Sequence, residues 1–161
     1  MLKNKGVGEF IEAGQRLHME FPAAEFGLLG PADPDNRAGI RQEILDGLDG
    51  KNGVLYAGAV KDVRPYLESS SAVVLPSYYR EGIPKTLIEA LAAGRPVITT
   101  DMPGCRETLL DGQNGFFVKP RSADDLYSVM KKFIQMDHGD RLAMGRQTVH
   151  FEIAAGKTQL D

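Results

Sequence analysis

The 161-residue sequence has a single cysteine, Cys105, and only three histidines, His18, His138 and His150, none at HxxxH or CxxC spacing. One cysteine cannot close an internal disulfide, and histidines without metal-ligand spacing read as solvated or capping residues, so neither a disulfide scaffold nor a zinc site is expected. An excess of one charge is also missing: 19 Lys and Arg stand against 22 Asp and Glu, a formal charge of −3. No bulk field draws such a chain to nucleic acid or an anionic membrane, and any phosphate must be caught locally. The longest apolar runs, such as Ala72 to Leu75, are much too short for a bilayer, and nothing resembles a signal peptide. With the lone cysteine, this gives the expectation of a soluble, cytoplasmic protein. What is present is an ordinary globular composition, 42% hydrophobic and 25% charged, enough for one domain with a real core.

Val7, Phe10, Ile11, Gly14, Leu17 and His18 recur at helical spacing and Pro22 follows, which predicts an amphipathic helix over 6–20. EFGLL at 25–29 reads as a strand, and the breaker-rich stretch from Gly30 to Asn36 reads as a loop. Ile40, Ile44, Leu45 and Leu48 return to helical spacing, GVLYA at 53–57 reads as a strand, and Pro65, Tyr66 and Leu67 sit in a short helix begun near Asp62. AVVL at 72–75 and PVIT at 96–99 read as strands buried on both faces. Helices are expected over 84–93 and 122–136, the second capped by Ser122 and carrying Leu126, Val129, Met130, Phe133 and Ile134 on one face. A short helix or turn at 105–110, a strand at 115–118 (GFFV) and a helix over 140–155 complete the reading. Short apolar strands alternating with helices make an α/β fold with a doubly wound parallel sheet. The chain opens on a helix where such folds usually open on a strand, so it is expected to begin inside a larger fold.

The chemistry concentrates between Leu75 and Ile98. A strand ends near Leu75, a loop exposes Glu81-Gly82-Ile83, and Pro84 opens the next helix, where its missing N–H costs nothing. Ligands of open α/β sheets sit outside the carboxyl ends of the strands. A helix amino end there offers N–H groups to an anion, and Gly82 permits close backbone approach. Glu81 would repel a phosphate but suits sugar hydroxyls, which donate to both carboxylate oxygens. Glu89 lies two turns on, away from an apolar face of Leu87, Ile88, Leu91 and Ala92. It is either a solvated helix carboxylate or a second hydroxyl acceptor, one acid for a hexose and one for a ribose. Lys85 and Arg80 either add positive charge at a phosphate or are solvated, and Tyr78 and Tyr79 either line a sugar pocket or cover a core edge. Cys105 reads as a small packing residue and Lys131-Lys132 as a solvated helix face.

Glu81-Gly82-Ile83-Pro84 with Glu89-Ala90 and Gly94-Arg95-Pro96-Val97-Ile98 resembles the E-x7-E signature of retaining family 4 glycosyltransferases of the GT-B fold. The stretches Pro103-Gly104-Cys105-Arg106-Glu107 and Asp111-Gly112-Gln113-Asn114-Gly115-Phe116 are similar to that family's PGxxE and DGxNGxLV segments, in the same order. The resemblance implies a Rossmann-like domain, one half of a GT-B enzyme. It implies that Glu81 holds hydroxyls of the donor hexose and has the catalytic role, that Glu89 takes the ribose, and that amides of Gly82, Ile83, Pro84-Lys85 and Thr86 cradle the diphosphate. Lys5 matches the lysine of the family's diphosphate clamp, and Val60 and Lys61 fall where members hold the base, mainly by backbone groups. The arginine that precedes the clamp lysine, the strand that carries it and an amino-terminal acceptor domain have no counterpart in this sequence.

The implied parent is a hexosyltransferase that uses a nucleotide diphosphate sugar, UDP-linked hexose or N-acetylhexosamine, as co-substrate without a metal. It would serve a glycan or lipid-linked acceptor of a bacterial surface polysaccharide, at the cytoplasmic face of the membrane, and the isolated chain would be inactive. The alternatives are a non-catalytic nucleotide-binding domain and another GT-B enzyme such as a sugar epimerase.

Overall fold

The computed structural model describes residues 1–33, 35–80 and 82–158, with side chains as far as 148. A 3-10 turn, Lys3–Lys5, leads into α1 (Val7–Glu20), followed by β1 (Phe26–Leu29), α2 (Gln42–Asp46), β2 (Val54–Gly58), α3 (Arg64–Ser69) and β3 (Val73–Leu75). Then come α4 (Lys85–Ala92), β4 (Val97–Thr100), a 3-10 turn (Arg106–Thr108), β5 (Gly115–Val118), α5 (Ala123–Gln135) and α6 (His138–Thr158). Helix and strand alternate as the periodicity predicts, and every strand pair is parallel. The sheet is in two pieces: β1 pairs with β2, and β3, β4 and β5 form a second ladder in that order.

Two cores flank the three-stranded piece, because successive side chains of a strand point to opposite faces. Ile98, Phe116 and Val118 face a larger core that also takes Leu126, Met130 and Phe133 of α5, the apolar face of α1, and Phe26, Leu28 and Val54 of β1 and β2. Val97 faces the smaller one with Leu87, Ala90 and Leu91 of α4, Cys105 and Leu109. Cys105 is thus a buried packing residue, as expected. Gly14 lets α1 approach the β1–β2 piece, since a Cβ there would stand 2.9 Å from Val54 Cγ2 and 3.2 Å from Phe26 Cγ. Phe10 meets Phe26 edge to face with centroids 6.4 Å apart. Ser122 caps α5 by accepting the Asp125 amide at 3.1 Å.

Three expectations need correction. Val73, Val74 and Leu75 are each only partly buried, while all four residues of β4 are buried; among the described residues, β4 has a neighbour on both sides and β3 on one. On α4 the buried residues are Leu87, Ala90 and Leu91, whereas Ile88 is 43% exposed. Pro84 is the N-cap of α4 and not its first residue, with extended backbone (ψ 129°) and a carbonyl that accepts the amides of Leu87 at 3.0 Å and Ile88 at 3.3 Å.

Candidate functional site

The site forms at the carboxyl ends of the strands, and the amino-terminal turn is fastened to it. Gly6 closes the turn at φ 76°, where a side chain is disfavoured, and packs on Pro76 just past β3. A Cβ at Gly6 would collide with the Pro76 carbonyl oxygen and lie 2.6 Å from its ring Cγ. The Tyr78 amide donates to Asn4 O at 2.9 Å, and the Ser77 hydroxyl donates to the same oxygen at 3.4 Å. These bonds put the Lys5 ammonium 5.6 Å from the Tyr79 ring centroid, against the segment that leads into α4. From below, the Thr99 hydroxyl donates to Leu75 O at 2.7 Å and the Thr100 hydroxyl to Ser77 O. Arg121, beyond β5, adopts φ 58° and holds its guanidinium 4.7 Å from the Tyr78 ring centroid. Burial, then the Glu9 carboxylate, push the Tyr78 phenol above its ordinary value, with Arg121 pulling the other way.

At the start of α4 the helical ladder begins with the Leu87 amide, so the amides of Lys85 and Thr86 lie ahead of it. Gly82, Ile83, Lys85 and Thr86 are exposed, and a Cβ at Gly82 would meet nothing within 4 Å, so the backbone there is open to approach. The Glu89 side chain is 34% exposed and its Oε1 lies 3.3 Å from Lys85 Nζ, one turn earlier. A pair this exposed contributes about 0.3–0.5 kcal/mol, too little to withhold either group from a ligand. Glu81 lies outside the described residues. Val60 is half-buried and Lys61 exposed, just past β2 at the ends of the other sheet piece. Among the described residues, no hydrogen bond or ion pair joins either of them to α4. The structure therefore brings Lys5, Tyr78 and Tyr79 together, and Lys85 with Glu89.

The two remaining motifs spend their polar groups on the chain itself. Glu107 accepts the Gly104 amide at 2.7 Å, and Arg106 pairs with Asp101 at 3.0 Å. Asn114, 1% exposed, accepts the Leu110 amide at 2.7 Å and donates to Thr108 O at 3.1 Å; Asp111 accepts the Phe117 amide at 3.0 Å. Gly115 has no room for a side chain, since a Cβ would collide with Val97 O. These segments fix the crossover from β4 to β5. Arg95 does similar work, donating to Ser70 O at 3.0 Å. On the solvated face of α5, Lys131 pairs with Glu20 and ties α5 to α1. Asn4, Ser77, Thr100 and Arg121 escape the sequence reading, since their positions depend on contacts between distant segments.

Among the described residues, no helix is long and apolar enough to cross a membrane. The family model "Glycosyl transferases group 1" matches residues 1–136. The chain is 34% identical over 125 residues to the N,N'-diacetylbacillosaminyl-diphospho-undecaprenol alpha-1,3-N-acetylgalactosaminyltransferase of Campylobacter jejuni, an alignment covering 78% of this chain and 31% of that protein. It is 36% identical over 115 residues to the Vi polysaccharide biosynthesis protein VipC/TviE of Salmonella typhi, covering 71% and 19%. The match thus spans under a third of the length of these curated relatives. In fold it is similar to the C-terminal domain of a glycosyl transferase group 1 family protein from Francisella tularensis, with TM-score 0.81 and 22% identity over 96% of this chain and 80% of that one. It is likewise similar to the pneumococcal O-GlcNAc transferase GtfA, solved in complex with UDP and GlcNAc, with TM-score 0.75 and 23% identity over 94% and 30%. Parallel strands, a polar crossover clasp and an open helix amino end at the strand ends agree with these matches: the chain belongs to the group 1 glycosyl transferases and has the fold of a GT-B carboxy-terminal domain.

Proposed function

We propose that this domain binds a nucleotide diphosphate sugar, a UDP-linked hexose or N-acetylhexosamine, for transfer with retention to a bacterial surface glycan. The observation that carries the reading is the fastening of the Lys3–Gly6 turn to Pro76–Tyr78, which sets Lys5 against the segment entering α4. A cation and helix-end amides gathered at the strand ends suit a diphosphate. In this reading the amides of Gly82, Ile83, Lys85 and Thr86, with Pro84 fixing the turn, cradle the diphosphate, and Lys5 neutralises it. Glu89 accepts the ribose hydroxyls, Glu81 accepts hexose hydroxyls and positions the sugar, and the backbone at Val60 and Lys61 receives the base. As the glycosidic bond breaks, negative charge grows on the diphosphate; preorganised amides and Lys5 stabilise it without a metal. The names of the relatives support a glycan role, the Campylobacter protein being named for a diphospho-undecaprenol-linked substrate and the Salmonella one for Vi polysaccharide biosynthesis.

The acceptor would be held by an amino-terminal domain of a longer protein, at the cytoplasmic face of the membrane. This chain by itself would bind donor weakly and turn over little. Calorimetric titration of the longer enzyme with UDP and UDP-sugars tests the donor assignment. Binding of UDP, weakened by Glu89→Ala, supports it; equal affinity of the two proteins contradicts it.

A further inference from the structure

The outer edges of β2 and β5 are closed in different ways. Among the described residues, β2 has a strand only on its β1 side and β5 only on its β4 side. In a parallel ladder, alternate residues address opposite edges. At β2 the outward groups are taken by backbone: the Gly50 amide donates to Val54 O at 3.1 Å, and the Tyr56 amide donates to Leu48 O at 3.0 Å. At β5 the Val97 amide donates to Asn114 O at 3.1 Å, so residues 114, 116 and 118 address β4 and residues 115, 117 and 119 address the outer edge. Gly115 O accepts the Gly112 amide at 2.8 Å, where an isolated parallel bridge joins Asp111 to Gly115. The next two outward amides are taken by carboxylates. Asp111 Oδ1 accepts the Phe117 amide at 3.0 Å, and Asp125 Oδ2 accepts the Lys119 amide at 2.7 Å.

Helix capping does not account for the position of Asp125. In a capping box the side chain three residues after the cap reaches back to the cap's own amide. Ser122 does accept the Asp125 amide at 3.1 Å, while Asp125 Oδ2 serves Lys119, three residues before the cap. Both carboxylate bonds lie at the exposed rim of the sheet, where water satisfies an amide as well, so stability alone does not call for two acids there. What water leaves behind is a row of free donors beside the apolar, β-prone run GFFV, a template for another strand. An acid held over such an amide removes the donor and sets a negative charge where the carbonyl oxygen of an incoming strand would lie.

We propose that Asp111 and Asp125 guard the outer edge of β5, and that without them this edge pairs with the β5 edge of a second copy of the chain. A two-fold axis beside β5 sets Gly115–Val118 antiparallel to its copy, so the same edge serves both partners. Backbone bonds across the axis supply the attraction, as in other cases of strand addition. The β2 edge needs no such guard, because its outward groups are spent on residues 48–50. The proposal does not rest on the donor assignment, and its test uses no nucleotide.

The test follows amide hydrogen exchange and sedimentation velocity over a concentration series, in wild type, in Asp111→Ala with Asp125→Ala, and in that double variant with Lys119→Pro added. Proline at 119 removes an outward amide and leaves the β4 side of the ladder intact. In wild type the Phe117 and Lys119 amides are expected to exchange at least about tenfold more slowly than unbonded exposed amides. The double variant loses that protection when dilute, and its sedimentation coefficient rises with concentration beyond that of wild type. Adding Lys119→Pro returns the wild-type sedimentation. The proposal is overturned if the two wild-type amides exchange freely, if the folded double variant sediments as wild type throughout, or if its association survives Lys119→Pro. Should the double variant unfold, the wild-type exchange and the two single alanine variants decide on the same terms.

Discussion

Gly6 joins the stability of the domain to the geometry of its site, so substituting it tests both. Gly6→Ala places a methyl group on a residue at φ 76°, at a cost of about 1–2 kcal/mol for the left-handed backbone. The same methyl meets the Pro76 carbonyl oxygen and lies 2.6 Å from Pro76 Cγ and 2.9 Å from Pro76 C, mostly backbone that must move. Forced shifts of this kind cost about 1–3 kcal/mol, and the two together roughly 2–5 kcal/mol. Against a typical domain stability of about 5–15 kcal/mol this is a large loss, and it lowers the thermal midpoint by about 4–20 °C at this chain length. Gly8 is the internal control. It lies two residues further on, on the exposed side of α1, where a Cβ meets nothing within 4 Å. Gly8→Ala should therefore be neutral or stabilising by up to about 1 kcal/mol. Thermal and urea unfolding of the two variants give the measurement. A Gly6→Ala midpoint within about one degree of wild type, or an equal fall in both variants, refutes the claim that the turn is fastened through Pro76.

Asn114→Ala strips a partner from the buried Thr108 carbonyl and another from the part-buried Leu110 amide, and should cost about 1–3 kcal/mol in urea unfolding. Glu20 is held below the usual carboxylate range by hydrogen bonds from Lys131 and then Tyr127. Its folded value is depressed, so the stability it gives is present above the unfolded value of about 4.5 and lost as pH falls through the folded one. Thermal midpoints measured down that range should fall less steeply in Glu20→Gln than in wild type. If this domain works within a glycosyltransferase as proposed, Glu81→Gln in that enzyme should reduce turnover more than nucleotide affinity, and Glu89→Ala should weaken nucleotide binding by about 10–150-fold, the worth of charge-assisted bonds at about 1.5–3 kcal/mol. Steady-state kinetics and calorimetry separate the two effects.

The parts of the fold governed by local pattern were legible. GFFV is β5 at the bounds read from the sequence, and the spacing of Leu126, Met130 and Phe133 places α5 with its Ser122 cap. Errors arose where neighbours decide. Nothing within AVVL reveals how far its residues are buried, because a β-branched run looks alike whether one strand flanks it or two. Pro84 fits both the first helical position and the cap, and the choice depends on ψ, which composition does not fix. The family motifs pointed to the α4 entry, but could not distinguish the exposed amides at 82–86 from the self-satisfied clasp of Glu107 and Asn114. The fastening of Asn4 to Tyr78, and the left-handed Arg121 over Tyr78, join segments over 40 residues apart and leave no local signal.

The central claim is that the amino end of α4 receives the diphosphate of a nucleotide sugar, with Glu89 on the ribose. Its most direct test is a UDP titration of the nitrogen-15-labelled chain, carried to about 10 mM to register millimolar affinity. The account predicts the largest amide shifts at Gly82, Ile83, Lys85 and Thr86, followed by Glu89, all reduced by Glu89→Ala. Saturable shifts confined to other surfaces, with residues 82–89 unmoved, would contradict it.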